Sequence, residues 1–158
     1  MWSKPNTVSL VKGSGEGITP LNAFDQALLN AGIGNLNLIK VSSILPSKIQ
    51  LKPLPEIEAG SLVPAVYSTI TSNIAGETIS ACVGAGFSQD SFGLLYEYSH
   101  RGEAQTAEEV VKRMLEEGFK MRKMKASKII LVSAEHQVER VGCVVAAAIL
   151  WQENDGRK

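Results

Sequence analysis

Ser42-Ser43 is the only Ser-Ser pair in the chain, and it stands where an aliphatic run gives way to Ile44-Leu45-Pro46. One reading is an ordinary turn at a strand end. The other is chemical: a serine hydroxyl held against the preceding carbonyl attacks it and moves the acyl group from nitrogen to oxygen. The ester then eliminates across the Cα–Cβ bond of the second serine. The dehydroalanine left behind takes up water and loses ammonia, becoming a pyruvoyl group at a new N-terminus. Such a step needs a strained peptide and a donor for the developing oxyanion. In an extended strand Asn37, Ile39, Val41 and Ser43 share one face, which makes Asn37 a candidate for that donor.

Two carboxylates are further candidates. Glu97 has the parity of Gly93 and Leu95 in an aliphatic and aromatic run. On a partly apolar face its pKa rises, and it can carry a proton at neutral pH; on an edge facing water it does neither. Asp25 follows Phe24 in a helical pattern with no lysine nearby, and taken alone reads as a surface aspartate. His100 and His136 have no nucleophile arranged around them and read as surface histidines. Cys82 and Cys143 each lie in an apolar run without a partner at metal-ligand spacing, so they read as buried free thiols and no metal site is expected. Gly13, Gly15 and Gly17 match neither a dinucleotide fingerprint nor a phosphate loop with its lysine, and read as a tight turn before a helix.

The elements that must position these residues follow from periodicity and punctuation. A strand is predicted over 6–11. A helix follows with Thr19 as cap and Pro20 in the first position, burying Leu21, Phe24, Leu28 and Ala31 and stopping at Gly32. Residues 35–41 read as a strand, and the proline-rich stretch 45–64 as largely irregular. Strands are expected over 62–72, 78–87 and 92–98. A second helix is expected from a Thr106/Glu109 capping box, with the charges from Glu108 to Lys125 on its wet face. Strands over 128–134 and 138–151 close the chain. The order argues a mixed α/β, or α+β, fold in one domain spanning 1–158.

Sixteen basic residues balance sixteen acidic ones, which speaks against a nucleic-acid partner. No apolar run is long enough for a membrane span or a signal peptide, so a cytoplasmic protein is expected.

The stretches Asn6-Thr7-Val8-Ser9-Leu10-Val11, Thr19-Pro20-Leu21-Asn22-Ala23-Phe24-Asp25, Gly32-Ile33-Gly34-Asn35-Leu36-Asn37-Leu38-Ile39 and Val41-Ser42-Ser43-Ile44-Leu45-Pro46 occur in this order. With Leu62-Val63-Pro64, Gly76-Glu77-Thr78-Ile79-Ser80, Glu97-Tyr98 and Glu135-His136 through Trp151, they resemble the pyruvoyl-dependent arginine decarboxylases over nearly the whole chain. The resemblance implies a four-layer α/β/β/α sandwich with mixed or antiparallel sheets. It implies self-cleavage between Ser42 and Ser43 into a β chain of residues 1–42 and an α chain of residues 43–158, with Ser43 becoming the pyruvoyl group. It implies Asn37 as a processing residue, Glu97 as proton donor and Asp25 as the group that receives the substrate guanidinium. It further implies a homotrimer of cleaved protomers with active sites between neighbours. The implied reaction turns L-arginine into agmatine and CO2 through a Schiff base on the pyruvoyl group, which replaces pyridoxal phosphate as electron sink and needs no metal. Where the family pattern has a second acidic residue after Glu97-Tyr98, this chain has Ser99. Two other readings stay open on the residues alone: a pyruvoyl enzyme for another basic amino acid such as histidine, and an uncleaved protein that binds small anions at the Gly13–Gly17 segment.

Overall fold

A computed structural model of the chain describes residues 3–154. It contains nine strands and two helices: β1 (Thr7–Glu16), α1 (Pro20–Asn30), β2 (Asn37–Lys40), β3 (Ile44–Leu45), β4 (Gln50–Leu51), β5 (Leu62–Ser72), β6 (Thr78–Phe87), β7 (Gly93–Arg101), α2 (Ala104–Met121), β8 (Lys128–Gln137) and β9 (Gly142–Trp151). The strands form a mixed five-stranded sheet in the order β2-β5-β9-β1-β4 and a four-stranded antiparallel sheet in the order β3-β7-β6-β8. Alternation along β9 shows how they stack. Val144, Ala146, Ala148 and Leu150 pack toward the second sheet, against Val83 and Leu95. Cys143, Val145, Ala147 and Ile149 pack outward against Ala23, Ala27 and Leu28 of α1. On the far side, Ala107, Val111, Leu115 and Phe119 of α2 cover Cys82 and Leu94. The layers are therefore α1, first sheet, second sheet, α2: the expected α/β/β/α sandwich.

Several local expectations change. The glycines at 13 and 15 do not form a turn. They lie within β1, which pairs with β9 along its whole length from Thr7 to Glu16. Their use is close approach, because a Cβ on Gly13 would stand 2.3 Å from the Ala27 carbonyl oxygen and one on Gly17 would stand 2.3 Å from the Ala23 nitrogen. The helix resting there presents its small side chains, Ala23 and Ala27, so the buried face of α1 is turned away from Leu21, which is 75% exposed. The start of α1 is as expected, with the Thr19 hydroxyl accepting the Asn22 N–H at 3.1 Å. α2 begins earlier than its sequence capping box indicates. Its first turn is closed from another element, by Glu135 of β8, whose Oε1 accepts the Ala104 N–H at 2.8 Å. Glu108 is not on the wet face either; its carboxylate accepts the Ser133 hydroxyl of β8. β8 and β9 meet at a short turn around Val138–Val141 rather than at residue 138.

At one edge of the sandwich the two sheets are tied by a side-chain hydrogen bond. His136 of β8 donates from Nε2 to Glu16 Oε2 of β1 at 2.8 Å, so this histidine is largely enclosed and not the surface residue expected. Glu16 Oε1 accepts the backbone N–H groups of Arg140 at 2.7 Å and Glu139 at 3.1 Å. Burial works against the Glu16 charge, but the Arg140 N–H and the His136 ring outweigh it and hold the carboxyl below its ordinary pKa. A depressed carboxyl pKa adds stability above the unfolded value, and that stability is lost as pH falls through the folded value. Glu16→Gln should therefore cost about 1.5–3 kcal/mol at neutral pH, the range for hydrogen bonds to a charged group. The gap to wild type should narrow at acid pH, once the carboxyl is protonated in the folded as well as the unfolded state. Thermal melts of both proteins at neutral and acid pH check this; an equal gap at both would show that the charge is not what holds the turn.

Candidate active site

The Ser-Ser pair marks the place where the chain steps from one sheet to the other. The Val41 N–H still donates to Ala65 of β5, in the first sheet, at 3.1 Å. Two residues later the Ser43 carbonyl accepts the Leu95 N–H of β7, in the second sheet, at 2.8 Å. Ser42 bridges the gap and is exposed, while Ser43 is half-buried. β3 holds the crossover down: Ile44 and Leu45 pair with Leu94 and Gly93, and Leu45 is fully buried. Gly93 permits this, since a Cβ there would lie 2.3 Å from the Gly86 carbonyl oxygen. Pro46 then ends the strand, because it has no N–H to continue the ladder. A serine with its carbonyl pinned and its preceding peptide spanning two layers suits a pyruvoyl precursor.

β7 brings Glu97 to the same place. Leu94, Tyr96 and Tyr98 point toward α2, and Leu95 points into the space between the sheets. Glu97 shares the inner parity of Leu95 and sits opposite Val83 of β6. Since Ser43 lies against Leu95, Glu97 is two residues along the strand, a rise of about 7 Å. Burial raises the Glu97 pKa, and the charge of Lys40 on β2 works in the opposite direction. Of the two readings of Glu97, the structure thus favours the partly enclosed carboxyl over the solvated edge residue. The Lys40 ammonium itself rests 4.9 Å from the centre of the Tyr67 ring.

The other two expected site residues lie elsewhere in the protomer. Asp25 is exposed on α1, and α1 covers the outer face of the first sheet, so a whole sheet separates it from Glu97. Asn37 starts β2, and its Nδ2 donates to the Gly60 carbonyl at 2.9 Å. Val41 is four residue steps further on, about 13 Å of strand. One protomer therefore joins Ser43 to Glu97 and leaves Asp25 and Asn37 apart from them.

One well-formed concavity lies away from Ser43. It measures about 700 Å³, is lined by Pro5, Glu56, Leu62, Pro64 and Trp151 among others, and opens at the Asn37 end of β2. Outside the crossover, His100 Nε2 is bonded to the Glu103 carbonyl oxygen at 2.9 Å, and Cys82 and Cys143 are buried free thiols. Burial, reinforced by Glu108, pushes the Cys82 thiol up to about 12, which leaves it unreactive. Among the described residues, no group of three or more His, Cys, Asp or Glu comes together.

Sequence reasoning passed over Lys40 and Ser68. The signal for Ser68 was available: a hydroxyl at an inward-facing position of an aliphatic strand has to find a partner across the core.

Residues 7–155 match the profile of the pyruvoyl-dependent arginine decarboxylase family. A pyruvoyl-dependent arginine decarboxylase of Methanocaldococcus jannaschii is 50% identical over 149 residues, covering 93% of this chain and 90% of that protein. One from Methanococcus maripaludis is 48% identical over 95% of this chain and 93% of its own length. One from Pyrococcus furiosus is 46% identical over 95% of this chain and 98% of its own. The chain belongs to the pyruvoyl-dependent arginine decarboxylase family.

Proposed function

We propose that this protein decarboxylates L-arginine to agmatine and CO2, using a pyruvoyl group made from its own Ser43 by cleavage of the Ser42–Ser43 bond. The observation that carries the reading is the crossover itself, where a pinned Ser43 and a half-buried Glu97 meet at the edge of the sandwich. When present, the pyruvoyl group supplies the electron sink for the pair released with CO2. The chain's own residues do the rest. The Leu95 N–H fixes the position of residue 43. Glu97, whose pKa burial raises against the pull of Lys40, delivers a proton to the former α-carbon of the substrate. Asp25 receives the guanidinium through charge-assisted, bidentate hydrogen bonds.

Asp25 and Asn37 serve this site only from a neighbouring copy, because neither reaches Ser43 in its own protomer. That requirement supports the homotrimer with shared active sites. The whole of 1–158 acts as one domain, divided by cleavage into residues 1–42 and 43–158 that stay together in the sandwich. The two unbridged thiols fit a reducing compartment, and the reading places the enzyme in the cytoplasm.

One experiment tests this. CO2 release is measured over a panel of arginine, lysine, ornithine and histidine, for wild type and for Asp25→Asn, with intact mass of each protein. Two fragments split at Ser42–Ser43, arginine as the favoured substrate and a raised KM for arginine in Asp25→Asn are expected. A single uncleaved chain that still releases CO2 would overturn the pyruvoyl reading; an Asp25→Asn enzyme with unchanged preference and KM would remove Asp25 from the site.

A further inference from the structure

Glu97 sits on a strand that has just lost a neighbour. β3 ends its pairing with β7 at the Ser43–Leu95 contact, so from Glu97 to Arg101 only β6 holds β7 in its sheet. The reach of Glu97 into the site depends on how far β7 stands from β5 of the opposite sheet. The filling between them is apolar, with Val66, Val83, Leu95, Ala146 and Ala148. Apolar contact is non-directional and does not by itself fix a spacing.

Two hydroxyls do. Ser68 of β5, only 7% exposed, reaches across the gap with Oγ 3.0 Å from the Cys82 carbonyl oxygen and 3.1 Å from that of Tyr98. Ser99 of β7 reaches back and donates to the Thr69 carbonyl oxygen at 3.0 Å. The links run in opposite directions and engage the two residues that directly follow Glu97. We propose that Ser68 and Ser99 are positioning residues for Glu97, fixing the gap between β5 and β7 and so holding the carboxyl at its working distance from Ser43.

The proposal rests on the reading of Glu97 as proton donor and deepens it. A misplacement of about 1 Å in a catalytic group costs up to about 100-fold in rate, and a serine hydroxyl bonded to a carbonyl holds distance to far less than that. A narrow gap also keeps water from the carboxyl, the burial that raises its pKa. The groups facing Glu97 leave little to mask a change. β6 offers Val83, β5 offers Val66 and Ser68, and β2 brings the Lys40 charge.

The test compares Ser99→Ala, Ser68→Ala/Ser99→Ala and Ser99→Thr with wild type for self-cleavage, kcat, KM and the pH profile of kcat. Self-cleavage should persist. The double variant should lose about 10- to 100-fold in kcat with KM near wild type, the signature of a displaced catalytic group. Its alkaline limb should move to lower pH as water relaxes Glu97 toward an ordinary carboxyl. Ser99→Thr, which keeps the hydroxyl, should restore most of the rate. A lower melting temperature with kcat and the alkaline limb unchanged would mean the hydroxyls are structural only, and would overturn the proposal. If the double variant does not fold, Ser99→Ala alone decides on the same readouts. Should Glu97→Gln retain full activity, the proton-donor reading itself fails. Should Glu97→Gln be impaired while the serine variants are not, only the positioning role falls.

Discussion

Ser43→Ala is expected to remain a single chain of 17.0 kDa with decarboxylation at background level. Alanine has no Oγ to attack the Ser42 carbonyl, so the acyl shift has no nucleophile and no electron sink is made. Loss of a group on which the whole covalent route depends removes nearly all of the rate enhancement rather than a share of it. The fold should not suffer. It is the Ser43 backbone carbonyl, not its side chain, that accepts the Leu95 N–H, and β3 is anchored by buried Leu45. A stability change within about 0.5 kcal/mol is expected, as for substitutions away from packing or caps. A denaturing gel separates the outcomes. Wild type should run as residues 1–42 and 43–158, and the variant as one band with an unchanged melting temperature. A variant that splits at the same bond would show that Ser43 is not the nucleophile.

Glu97→Gln should cleave normally and then decarboxylate about 100- to 10,000-fold more slowly, the range for loss of a positioned general acid. Glutamine keeps the shape and gives up the transferable proton, so the loss should fall on kcat and not on KM. The pH dependence has a definite sign. Burial raises the Glu97 pKa, against the smaller opposing pull of Lys40, and the acid must be protonated to act. Wild-type kcat should therefore hold at lower pH and decline as pH rises through that raised value, and this limb should vanish in Glu97→Gln. Full activity in the variant, or a limb that survives it, would take the proton from another group.

Much of this site could be read from residues in order. Ser42-Ser43 before Ile44-Leu45-Pro46 shows a strand giving way to a turn, and the parity of Glu97 with Leu95 shows which way its carboxyl points. What stayed hidden was proximity. Gly13, Gly15 and Gly17 look like a turn because glycine is a turn residue, yet Gly13 and Gly15 lie within β1 and Gly17 just past its end, so that the backbone of α1 can come close. The Thr106/Glu109 pair looks like a helix start, yet Glu135, a strand residue from the far side of the helix in sequence, closes the first turn. Leu21 fits a helical stripe, but the alanines fit the glycines better, and the helix rotates accordingly.

By itself the sequence determined the family, the alternation of the strands, the Thr19–Pro20 helix start and the single Ser-Ser pair at a strand end. Those signals are local, because capping, periodicity and turn chemistry act within a few residues. Only the tertiary structure decided that Ser43 and Glu97 share one edge, that a sheet stands between them and Asp25, and that Ser68 and Ser99 span the gap beside Glu97. Each of these depends on which strands pair and how two sheets stack, and pairing joins segments that no local pattern connects.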